Sequence, residues 1–107
     1  MNSEIINIYN VCKHIAENRH STEVNDLLAE ELSELIKAVM KLERYNMCDN
    51  SLRCTYHEIY DNIYEELADV IIMICQFIHK NKLSHQNLID EISKKIIRYY
   101  ETISDKK

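Results

Sequence analysis

The residues best placed to do chemistry are acids in two short stretches, Leu27-Leu28-Ala29-Glu30-Glu31-Leu32-Ser33-Glu34-Leu35 and Tyr64-Glu65-Glu66-Leu67-Ala68-Asp69-Val70. Leu, Ala and Glu dominate both, so both read as helix. On an ideal helix of about 100° per residue, Leu27, Leu28, Leu35, Ala38, Val39 and Leu42 form one apolar arc. Glu31 lands inside that arc, Glu34 sits on its edge, and Glu30 points away. In the second stretch the arc is Ile59, Ile63, Leu67, Val70, Ile74 and Phe77, with Met73 at its margin. Glu66 falls within it, Asp69 at its rim, and Glu65 points away. An isolated carboxylate placed in apolar surroundings loses several kcal/mol or takes up a proton, so four that converge require cations. Residues at i and i+3 are neighbours on a helix. Glu31/Glu34 and Glu66/Asp69 can therefore each act as a two-oxygen claw, and two facing claws make a hard, all-oxygen site suited to Mg²⁺ or Mn²⁺.

The elements that must hold these claws are helices. A first helix is expected over about 4–18, with Ser3 before it and Ile5, Ile8, Cys12 and Ile15 as its stripe, Tyr9 and Ala16 adjoining. The 18–21 stretch breaks it. A second helix runs from Ser21 or Thr22 to about Arg44 and carries the first claw. Residues 45–54 are polar and poor in helix formers, and read as a loop. A third helix covers about 55–81 and carries the second claw. Beyond Asp69 it is apolar on nearly every side (Val70 to Cys75, then Phe77 and Ile78), which calls for burial all round and predicts a partner chain. Ser84 then caps a fourth helix, about 85–104, whose Ile89, Ile92, Ile96, Tyr100 and Ile103 are expected to face inward.

Composition narrows the class. With 107 residues, no Gly and no Pro, one all-α domain over residues 1–107 is expected, without a Gly-rich phosphate loop. A net charge of −5 argues against binding nucleic acid polymers or a membrane surface. No apolar run is long enough to span a bilayer, and the polar-interrupted first 16 residues do not resemble a secretory signal. Cys12 and Cys75 on apolar faces suit reduced thiols in the cytoplasm. Cys48, Cys54 and His57 cluster near the loop, but their spacing matches no common zinc template.

Glu30-Glu31-Leu-Ser-Glu34 followed by Glu66-Leu-Ala-Asp69 resembles the EExxE…ExxD signature of the MazG-like, all-α nucleoside triphosphate pyrophosphatase superfamily. "LAEELSELIKAV" and "YEELADVIIMICQF" resemble its two core helices, and the resemblance covers about residues 22–100. It implies a four-helix bundle completed by dimerisation or higher assembly, a homodimer or homotetramer. It further implies Mg²⁺-dependent hydrolysis of a nucleoside triphosphate between the α- and β-phosphates, giving a monophosphate and pyrophosphate. The implied metal ligands are Glu31, Glu34, Glu66 and Asp69, the same four that the helical positions select. Glu34, at the rim, is the expected general base. Lys95 and Arg98 on the last helix are the expected phosphate contacts, and Asn25 is a candidate for reading the base. The 31 residues between Glu34 and Glu66 make a longer connection than the family usually shows.

Two other readings stand beside this one. A small acidic helical dimerisation or interaction module, its metal site vestigial, would show the same composition. A ferritin-like di-iron bundle needs two Glu-x-x-His motifs, and only Glu17-x-x-His20 occurs.

Overall fold

The computed structural model describes residues 3–47 and 55–105. Among the described residues four helices follow one another: α1 (Ser3–Glu17), α2 (Ser21–Asn46), α3 (Tyr56–Lys80) and α4 (His85–Asp105). No strand occurs among the described residues, and the fold class is all-α. Cys48 and Cys54, considered above for zinc, lie outside the described residues; His57 is exposed on the first turn of α3.

Local chemistry sets the helix ends. Thr55 caps α3 with a reciprocal pair: its hydroxyl accepts from the Glu58 amide at 3.2 Å, and the Glu58 carboxylate accepts from the Thr55 amide at 3.2 Å. Ser84 Oγ accepts from the Asn87 amide at 3.2 Å, capping α4 as its position in the sequence suggested. Between α3 and α4 the chain turns without glycine. Lys82 adopts φ 53°, and the Lys82 and Leu83 amides donate to the His79 and Ile78 carbonyls at 3.1 and 3.0 Å. That is the Schellman closure of a helix C-terminus, here with a lysine in the left-handed position that glycine usually takes.

Packing centres on α3. Its main interfaces are with α2 and α1, and the core is built from Cys12 and Ala16 of α1, Val24 and Ala38 of α2, and Ile59, Val70 and Met73 of α3. Alanines at positions 16 and 38 let neighbouring backbones approach. Gln76 is the one polar residue of the described chain in this core, 2 % exposed, and its Oε1 accepts from Arg19 Nη1 at 2.9 Å. The guanidinium also lies 3.8 Å from Met73 Sδ, so the α1–α2 corner is fastened to the C-terminal third of α3.

The inward face expected of α4 is not buried. Every side chain described on α4 is exposed, Ile89, Ile92, Ile96, Tyr100 and Ile103 among them. The helix meets the rest of the chain at its first residue, where Tyr9 Oη lies 2.9 Å from His85 Nε2 and the two rings stack edge to face. Val39, Leu67 and Ile74, placed in the apolar arcs by periodicity, are also exposed, as are Ile71 and Ile72. The radius of gyration is 17.5 Å, where a compact chain of this length has about 13 Å. The amphipathic pattern is present, but this single chain supplies too few neighbours to cover it.

Candidate metal centre

The antiparallel pairing of α2 with α3 brings the two acidic stretches together. One carboxylate oxygen each from Glu31, Glu66 and Asp69 lies within 4.8 Å of the other two. Glu31 and Glu66 are half-buried and Asp69 is exposed, an order that follows from their positions in the arc and at its rim. Glu30 and Glu65, on the far faces, are exposed.

Glu34 stands beside this trio rather than within it. Its Oε1 accepts from Lys37 Nζ at 3.1 Å, an i,i+3 pair open to solvent. Such exposed pairs contribute under about 1 kcal/mol, so Glu34 is readily released from it. Its charge nevertheless reaches the cluster, for it helps raise the pKa of both Glu31 and Glu66.

The electrostatics are those of an anion cluster lacking a counter-charge. Desolvation is the largest influence raising the Glu66 carboxyl above the ordinary carboxylate range, followed by the charges of Asp69, Glu34 and Glu65. Desolvation again leads for Glu31, followed by Asp69, Glu66, Glu30 and Glu34. Glu66 Oε2 is buried and has no hydrogen-bond partner among the described residues. Buried polar atoms are normally paired, and an orphaned one needs an explanation. A hard divalent cation between these oxygens would supply the missing partner and reverse the penalty on ionisation. The donor set, three or four carboxylates and no sulfur or imidazole, fits Mg²⁺ or Mn²⁺.

The candidate substrate contacts are not gathered here. Lys95 and Arg98 are exposed on α4, away from the main helix interfaces. Asn25 is exposed on α2, six residues before Glu31, which at about 100° per residue turns it away from the acid row. Arg19 and Gln76 had drawn no attention in the sequence. The available signal was spacing: Asp69, Met73 and Gln76 are separated by four and then three residues, one row along α3.

The model of the MazG nucleotide pyrophosphohydrolase domain matches residues 19–103. The chain belongs to this family. No curated protein and no solved structure matches it. MazG domains act on nucleoside triphosphates and are typically metal-dependent, which agrees with an acid cluster formed by α2 and α3 within the matched span. Among the described residues of this MazG chain, no helix is long and apolar enough to cross a membrane.

Proposed function

We propose that this MazG domain, occupying the whole chain, is a Mg²⁺-dependent nucleoside triphosphate pyrophosphohydrolase that cleaves between the α- and β-phosphates. The observation that carries this reading is the buried, unpartnered Oε2 of Glu66 in a cluster with Glu31 and Asp69. Glu31, Glu66 and Asp69 hold the cation, and Glu34 joins them or accepts a proton at the rim. The bound ion supplies charge neutralisation for the polyphosphate and a water of lowered pKa.

The chain's own residues account for the remaining steps. Water oxygen bonds to the α-phosphorus as the bond from that phosphorus to the α–β bridging oxygen breaks, and the electron pair leaves with pyrophosphate. Glu34, half-buried and held only by an exposed lysine, takes the proton from that water. The neighbouring carboxylates keep the site anionic enough that a triphosphate enters only together with its cation.

Lys95 and Arg98 reach phosphate only if another α4 is brought to the acid cluster. The uncovered apolar face of α4 supports a homodimer or homotetramer in which a second copy provides it. The same exposed face favours the adaptor reading, in which the chain dimerises and binds a partner without turnover. Magnesium titration separates the two. A metal enzyme gains thermal stability with rising Mg²⁺ through linkage and releases pyrophosphate from a triphosphate panel, whereas an adaptor does neither. The free thiols Cys12 and Cys75 suit a reducing compartment such as the cytoplasm.

A further inference from the structure

We infer that Arg19 binds the pyrophosphate end of a triphosphate held at the acid cluster, and that Gln76 is its positioning residue. The inference rests on the pyrophosphohydrolase reading and extends it along α3.

The starting point is the row on that helix. Asp69, Met73 and Gln76 follow at steps of four and three residues, so they lie one above another on one face. Arg19 Nη1 touches the second and third members, 3.8 Å from Met73 Sδ and 2.9 Å from Gln76 Oε1. Its guanidinium therefore sits one to two turns from Asp69, roughly 6–10 Å at 1.5 Å per residue. A triphosphate chain anchored by a cation at Asp69 is long enough to span that separation, passing outside the buried Met73 and Gln76 to meet the solvent-facing edge of Arg19.

The way Arg19 is held also favours binding over fastening. Gln76 is almost fully enclosed, and its acceptor oxygen is committed to the guanidinium. Arg19 itself keeps 31 % side-chain exposure. Its remaining ion pair, Nε to Glu23 Oε1 at 3.8 Å, is long and half in solvent, so it contributes little. Among the described residues Nη2 makes no hydrogen bond. A planar fork with fixed orientation and free donors suits phosphate better than it suits packing. Positive charge is needed at this place in particular: the chain carries −5 overall, and the leaving pyrophosphate adds to the negative charge beside four acids.

The test uses the full-length chain, with inorganic pyrophosphate in Mg²⁺ and Mn²⁺ alone as calorimetric probes. Arg19→Met is expected to weaken pyrophosphate binding roughly tenfold while Mn²⁺ binding stays at the wild-type level. Arg19→Lys should retain part of the affinity. Gln76→Glu keeps a partner on Nη1 but compensates the guanidinium charge, so it should weaken pyrophosphate binding without lowering the melting temperature. A purely structural Arg19 predicts that Gln76→Glu binds pyrophosphate normally. Wild-type pyrophosphate affinity in both Arg19→Met and Gln76→Glu, with Mn²⁺ bound, overturns the inference. If Arg19→Met does not fold, Arg19→Lys and Gln76→Glu decide the matter. If the wild-type chain binds no Mn²⁺, the metal site itself is wrong, and Arg19 falls with it.

Discussion

α3 and α4 carry apolar residues at the same helical spacing, yet one is clasped on two sides and the other lies open. On α3, Ile59, Val70 and Met73 are buried against α2 and α1; on α4, Ile89, Ile92 and Ile96 also share one helical face but stand in solvent. Periodicity states that a face requires cover, and says nothing of whether the cover comes from the same chain. The acids divide the two helices in the same way. α3 sets Glu66, half-buried, into its apolar stripe, where its Oε2 has no hydrogen-bond partner among the described residues. On α4, Lys95 flanks the apolar face and Arg98 lies behind it, and both are exposed. The proposed function assigns chemistry to the clasped helix and assembly to the open one.

The largest effect is expected on the clasped side. Glu31→Gln or Asp69→Asn should reduce pyrophosphate release by roughly a hundredfold or more, because each removes several kcal/mol of metal-dependent stabilisation. Helicity by circular dichroism and the solution mass should not change. Near-wild-type turnover in saturating Mg²⁺ would break the assignment of chemistry to α3.

The open side comes next. Ile92→Glu combined with Ile96→Glu should reduce the light-scattering mass to that of one chain. If α4 carries phosphate contacts across an interface, turnover falls with the mass. A wild-type chain already monomeric at micromolar concentration would remove the role given to α4.

A smaller effect concerns pH. Glu31 and Glu66 have raised pKa values in the folded chain, so without metal the folded state binds more protons than the unfolded one. The stability they contribute is full below their ordinary pKa of 4.5 and is lost as pH rises through the raised values. Thermal melts in chelator should therefore show Glu66→Gln losing less stability than wild type between acid and neutral pH. Mg²⁺ should remove the wild-type loss, because ion binding favours the deprotonated acids. Identical pH profiles in chelator would contradict the desolvated cluster.

The smallest effects lie at the two ends of α3. Thr55→Ala removes one half of the capping pair and should cost about 1 kcal/mol. Lys82→Gly relieves a left-handed lysine and should add about 1 kcal/mol. Each shifts the melting temperature by about 4 °C or more in a domain of this size. Neither should alter the mass, since neither touches the apolar face of α4.

Much of this molecule was legible in its residues. Helix ends were visible because breaks and caps such as Ser84 are local signals, and the acids were visible because Glu31 and Glu66 interrupt apolar arcs. What stayed hidden depends on distant pairing. Nothing local marks Arg19 as the partner of Gln76 across 57 residues, nor a lysine as the closing residue of a Schellman turn. The exposure of Ile92 and Ile96 was hidden for a different reason: an amphipathic helix reads the same whether its cover is its own chain or another. Glu34 fell between these cases. Its rim position was readable, whereas its pairing with Lys37 in place of Glu31 depends on the rotamers the two side chains adopt.

The most direct test of the metal centre is Mn²⁺ binding followed by electron paramagnetic resonance, on the wild-type chain beside Glu66→Gln. The account predicts saturable binding to the wild-type chain and a marked loss of affinity in the variant, with both chains equally helical. Equal Mn²⁺ binding by the two, or none by the wild type, would contradict it.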